Sequence, residues 1–138
     1  MRRGHSLLEV LVVVTIAAVL LAIVVPRASA VLDRVTVRGA ASDVATVLGT
    51  ARSLALAGRA PVAIDVDSVS GTLRVRRGVE MLFSRNVGHA HGVRVRTTRD
   101  SIAFGPLGLG RGAANVSILV SRGSAVETVF VSRLGRVR

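Results

Sequence analysis

The chain has 138 residues, half of them hydrophobic, with no cysteine, tryptophan or tyrosine and only three phenylalanines. Disulfides and thiolate metal sites are excluded, and the core has to be assembled from Val, Leu, Ile and Ala. All 19 basic residues are arginine, against eight acids, for a net charge of +11. Residues 5–70 hold five arginines and five acids, whereas residues 71–138 hold twelve arginines and three acids, twelve minus three giving +9. Such asymmetry points to an anionic partner, either nucleic acid or an anionic surface.

The first element is apolar. Leu7 to Val25 is a run of 19 residues, which as a helix at about 1.5 Å per residue spans roughly 28 Å, close to the hydrocarbon thickness of a bilayer. One reading is a membrane anchor, with Arg2 and Arg3 held in the cytoplasm by the positive-inside rule. A second is a cleaved secretory signal, because Ala28 and Ala30 make an A-x-A site and cleavage after Ala30 would release a soluble domain. Neither accounts for Glu9, a carboxylate near the start of the run that costs about 3 kcal/mol in hydrocarbon.

The stretch "RRGHSLLEV" resembles the type III signal of type IV pilins and type II secretion pseudopilins. The resemblance implies a short basic leader ending at Gly4, cut by prepilin peptidase between Gly4 and His5. His5 then becomes the first mature residue and the one methylated, although the family usually has Phe there. Glu9 falls at the family's fifth mature position and Pro26 at its helix-kinking proline. By the same resemblance, Glu9 pairs with the α-amino group of a neighbouring subunit during filament assembly, since a buried charge is tolerated when it is paired.

From Arg27 to about Gly58 the sequence reads as a continued, amphipathic helix. Val31, Leu32, Val35, Val44, Leu48, Ala51 and Ala55 recur at spacings of three and four, the period of a helix face packed on a sheet. Gly58 followed by Pro61 is a stop signal. Beyond it come short alternating runs: "PVAIDVD", "TLRVR", "MLFSRN", "VRVRT", "SIAF", and then "NVSILVS" and "VETVFVSRL", the last two joined by "RGSA". They predict six or seven strands in an antiparallel sheet, the final pair forming a hairpin. Arg74 shares a strand face with Arg76, and Arg94 with Arg96. The fold class is α+β, one long N-terminal helix packed on an antiparallel sheet.

The C-terminal part is similar to the GspH/FimT family of pseudopilins and minor pilins. The matching residues are Phe104, Pro106 and Gly108 of an apolar-Phe-x-Pro-x-Gly turn, then Ser132, Gly135 and Arg136 of a closing S-x-x-G-R element. Some minor pilins of the FimT type bind DNA, and a terminal G-R-x-R is associated with that role. Gly135, Arg136, Val137 and Arg138 match it. The resemblance therefore makes Arg133, Arg136 and Arg138 candidates for neutralising the phosphates of duplex DNA without reading sequence. Without Trp or Tyr there is little to stack single-stranded bases. The alternative is that these residues form a structural terminus.

No enzyme is legible. "GPLGLGRG", Gly105 to Gly112, matches neither a phosphate-binding loop nor G-x-G-x-x-G, and reads as a flexible surface loop. His89 and His91 have no third ligand at a metal-site spacing and read as exposed loop histidines. No metal or cofactor is implied. The expected organisation is a leader over residues 1–4, a transmembrane and assembly helix over 5–26, an amphipathic helix over 27–60 and a β domain over 61–138. The resemblance implies a subunit of a type II secretion system or type IV pilus, single-pass in the bacterial inner membrane with its globular part in the periplasm. Its partners are other pilins or pseudopilins, prepilin peptidase and the inner membrane, with duplex DNA a further one.

Overall fold

The computed structural model describes residues 6–111 and 115–138. The chain divides into two compact units, residues 1–32 and 33–138. Helix α1 (Leu7–Gly58) supplies the described helix of the first unit and the opening element of the second.

In the first unit the helix begins on Ser6, whose side-chain oxygen accepts from the Glu9 amide at 3.2 Å. This is the N-cap arrangement, satisfying one of the amides that a helix start leaves without a partner. The apolar side chains that follow are exposed along the whole run, and the segment, with a mean hydropathy of 3.0, is long and apolar enough to cross a membrane. Pro26 lies inside the helix; lacking an N–H, it removes one bond from the ladder.

In the second unit α1 buries Val37, Ala40, Val44, Leu48, Ala51 and Ala55. Small residues on that stripe let the sheet approach the helix closely. The helix ends by an unusual route. Gly58 stays helical, and Arg59 takes the left-handed conformation at φ 46°. The Arg77 guanidinium packs against this end: it donates to the Leu54 carbonyl at 3.4 Å, and its Nη2 would stand 2.8 Å from a Cβ on Gly58. A cation at the helix C-terminus also favours the macrodipole.

Among the described residues eight strands follow, in two antiparallel sheets. The first contains β1 (Val62–Asp67), β2 (Thr72–Arg77), β3 (Glu80–Asn86), β5 (Ser101–Phe104) and β6 (Gly110–Arg111), in the order β3-β2-β1-β5-β6. The second contains β4 (Arg94–Thr97), β7 (Val116–Arg122) and β8 (Ala125–Val131), in the order β4-β7-β8. Alternation places Ile64, Leu73, Val75, Ile102, Phe104 and Ile118 in the core, with polar residues outward. Asp67 shapes the β1–β2 turn, accepting from the amides of Val69 and Ser70 and from the Ser70 hydroxyl.

The sheets part company at a short helix, α2 (Val87–His91), capped by the Asn86 side chain and closed by Gly92 in the left-handed region. Its first two amides, Val87 and Gly88, both donate to the Gly71 carbonyl at 3.0 and 3.1 Å. Gly71 has φ +66°, and a Cβ on either Gly71 or Gly88 would press on the backbone of the other. Only glycine at both positions allows this approach.

The expected fold class holds: a long N-terminal helix packed on antiparallel strands. Four details differ. The described residues form eight strands rather than six or seven, because the short β6 falls within the glycine-rich stretch. There are two sheets rather than one, because the chain turns away at α2 instead of pairing β3 with β4. His89 and His91 lie on that helix, not in a loop. Val31, Leu32 and Val35 are exposed, and the packed stripe begins at Val37, where the strands first cover the helix.

Candidate functional site

The predicted site residues fall in separate places. Gly4 and His5 lie outside the described residues. Glu9 is in the first turn of α1, the only acid there. Pro26 is further along the same helix. Arg133, Arg136 and Arg138 are all exposed and come together at the C-terminal segment.

That segment is tied down rather than flexible. Phe130 and Arg138 exchange both backbone hydrogen bonds, at 2.8 and 3.0 Å, and the Ser132 amide donates to the Arg136 carbonyl at 2.9 Å. Val137 forms an antiparallel bridge with Val131. Residues 136–138 thus run antiparallel to residues 130–132 at the end of β8. The described part of the glycine-rich stretch, residues 105–111, is also held by hydrogen bonds, where the sequence reads as a flexible loop; Gly112 lies outside the described residues. The Gly105 amide donates to Leu109 at 2.8 Å, and the Gly110 amide to the Arg133 carbonyl at 3.0 Å. The backbone of "GRVR" is structural, and its arginine side chains face solvent. They border a cleft of about 320 Å³ with Phe130, Ser132 and Leu134.

The remaining basic residues divide into paired and unpaired sets. Arg76 meets Asp65 at 2.5 Å and Arg74 meets Asp67 at 3.5 Å on the first sheet. Hydrogen bonding from Arg76 holds the Asp65 carboxyl below its usual range, because the anion is the form that accepts. Arg122 pairs with Asp33 at 3.0 Å. Among the described residues no side-chain partner is found for Arg94, Arg96, Arg133, Arg136 or Arg138. The same is true of Arg27, Arg34, Arg38 and Arg59 on or just after helix α1 and of Arg111 on β6, so the second sheet and the segment beside it hold five of the unpaired arginines rather than all of them.

A second cluster escaped the sequence reading. Asp43 Oδ2, on α1, accepts from Arg85 Nη2 on β3 at 2.7 Å and lies 3.0 Å from His91 Nε2 on α2. The Arg85 hydrogen bond, then that of His91, lowers the Asp43 pKa. With chain separations of 42 and 48 residues, no local spacing could have signalled it. It clasps three elements; among the described residues, no group of three or more His or acidic side chains could hold a metal ion.

Comparison with known proteins gives the following. The prokaryotic N-terminal methylation motif matches residues 1–25. The family model of the type II transport protein GspH matches residues 40–135. No curated protein matches the sequence significantly. Two crystal forms of the type IV minor pilin FimU from Pseudomonas aeruginosa (strain PAO1) are similar in structure. One has TM-score 0.65 at 17% identity, covering 76% of this chain and 88% of that one. The other has TM-score 0.62 at 15% identity, covering 73% and 90%. At these identities the likeness is one of fold.

Proposed function

Because the chain belongs to the GspH family of minor pilins and pseudopilins, we propose that it is a filament subunit of a type II secretion system or type IV pilus. In this reading prepilin peptidase cuts between Gly4 and His5. The apolar segment holds the protein in the inner membrane until assembly, with the globular unit in the periplasm. Other pilins are the partners along the filament. The observation that carries the proposal is the position of Glu9: the only acid in the first turn of a helix otherwise apolar enough to cross a membrane. A carboxylate in such a segment is tolerated when its charge is paired, and the α-amino group of a neighbouring subunit is the filament partner we propose for it. Mass spectrometry of the protein purified from its membrane tests the processing step. A mature chain beginning at His5 supports the proposal; one beginning at Val31 overturns it in favour of a secreted soluble domain.

A second reading, DNA capture, is favoured by one specific observation. Arg133, Arg136 and Arg138 are exposed on a fixed backbone, without carboxylate partners among the described residues. Arginines so placed bind phosphates without first breaking an ion pair. Retardation of a duplex by the full-length protein in neutral detergent at about 50 mM salt tests this reading, because electrostatic binding is strong there. No retardation overturns it.

A further inference from the structure

The outer face of the second sheet can be mapped from its register. On β4, Val95 is buried while Arg94 and Arg96 alternate outward. On β7 the outward residues are Ser117, Leu119 and Ser121; on β8 they are Val126, Thr128 and Phe130. Arg94 stands opposite Ser121, and Ser121 opposite Val126. Arg96 stands opposite Leu119, and Leu119 opposite Thr128. Phe130 pairs with Ser117 on one side and with Arg138 on the other. Directly opposed residues of antiparallel strands share a face. Arg138 therefore stands on the face of Arg94 and Arg96, and so does Arg136, two residues before it.

These four arginines form a diagonal band. Strands lie about 4.8 Å apart and rise about 3.4 Å per residue, so Arg96 and Arg138 are roughly 16 Å apart and Arg94 and Arg136 roughly 25 Å. Between them lie hydroxyls of Ser117, Ser121 and Thr128, with Leu119 and Phe130. No carboxylate side chain of β4, β7 or β8 is on this face. Glu127, the one acid of these strands, lines a cleft with Arg34 and Arg38 instead. A band of one sign over about 25 Å calls for a ligand whose opposite charge is spread over the same length. Duplex DNA carries one negative charge per about 1.7 Å of axis, and guanidinium and hydroxyl groups are its usual phosphate donors.

Resting on the DNA reading above, we infer that duplex DNA docks across the outer face of the second sheet. Arg94 and Arg96 on β4 supply half of the phosphate contacts, and Arg136 and Arg138 supply the other half. The C-terminal segment is then one row of a two-row site.

The test is titration of a labelled duplex of mixed sequence with full-length protein in neutral detergent, from about 50 to 200 mM salt. Four proteins are compared: the parent, R94A/R96A, R136A/R138A, and the charge-matched control R34A/R38A. Each contact contributes about 0.9 to the log–log salt slope, so each band variant should flatten it by about two units while the control leaves it unchanged. All four arginines of the band are exposed, so thermal midpoints should not move. If R94A/R96A behaves as the control while R136A/R138A weakens binding, the two-row face is overturned and DNA capture by the C-terminal arginines stands. If the parent does not bind, or neither variant differs from the control, the DNA reading itself fails. If polyglutamate of equal charge competes as well as unlabelled duplex, the face recognises acidic protein and the inference is overturned.

Discussion

Arg52 Nε donates to the carbonyl of Gly108 at 3.0 Å, joining the last turns of helix α1 to the glycine-rich turn after β5. Gly135 seals this junction. It is buried at φ +71°, and a Cβ there would run into the Gly108 carbonyl oxygen and approach Arg52 Nε. Helix, turn and C-terminal segment therefore meet at one point that only glycine fits.

Gly135→Ala should destabilise the protein by at least about 2 kcal/mol, combining left-handed strain with a backbone clash. At the per-kcal shift of a small domain this lowers the thermal midpoint by roughly 10 °C. Gly49→Ala is the comparison: it lies inside α1 with nothing within 4 Å of its Cβ. It should stabilise by about 0.5–1 kcal/mol. Circular dichroism melts of the two variants check the pair, and equal midpoints would remove the special role of Gly135.

The Asp43 clasp has a defined pH signature. Arg85, then His91, lowers the Asp43 pKa in the folded state. A depressed carboxyl contributes stability that is present above its unfolded value, about 4, and lost as pH falls through the folded value. Asp43→Asn should therefore cost about 0.5–1 kcal/mol at pH 7, the scale of a partly exposed ion pair. The gap between parent and variant should close in acid, below about pH 4. Urea midpoints at pH 7 and pH 3 measure it. A gap of constant size would rule out Asp43 ionisation as its source.

Two phenylalanines should behave oppositely. Phe104 is 0% exposed on β5 and Phe130 is 53% exposed on β8. Phe104→Ala should cost about 3–5 kcal/mol through lost burial and a residual cavity. Phe130→Ala removes only cross-strand contacts, at about 1 kcal/mol or less. Denaturant titration separates them, and comparable losses would contradict the face assignment of β8.

Glu9→Ala tests the assembly role directly. Cleavage and membrane insertion should proceed, since the substitution leaves the leader junction intact and makes the segment more apolar. Incorporation into filaments should fall, read by immunoblot of the sheared filament fraction against the membrane fraction. Normal incorporation would remove the pairing role proposed for Glu9.

Much of this architecture is legible in the sequence because it rests on local chemistry. The apolar run, the stop around Gly58 and Pro61, and the alternation of "VAIDVD" or "VSILV" each report their own element. The division into two sheets does not show, because α2 has five residues, too few for a helical period. The exposure of Val31, Leu32 and Val35 does not show either: they are as apolar as Val37 and Val44, and periodicity cannot say where the strands begin to cover a helix. Solvent exposure of Arg136 and Arg138 was readable from their charge. Their fixed backbone was not, since it depends on hydrogen bonds to Phe130 and Ser132 set by tertiary position.

Residues 136–138 are synthesised after every strand they lie against. Until they dock, β8 presents open backbone donors and acceptors at Phe130 and Ser132, beside an exposed aromatic ring. An unpaired edge of this kind is a template for a second chain. The terminal "RVR" is therefore also an aggregation guard, closing an edge that the rest of the fold leaves open. Loss of those three residues would be felt first in solubility during folding and only later in the stability of molecules already folded.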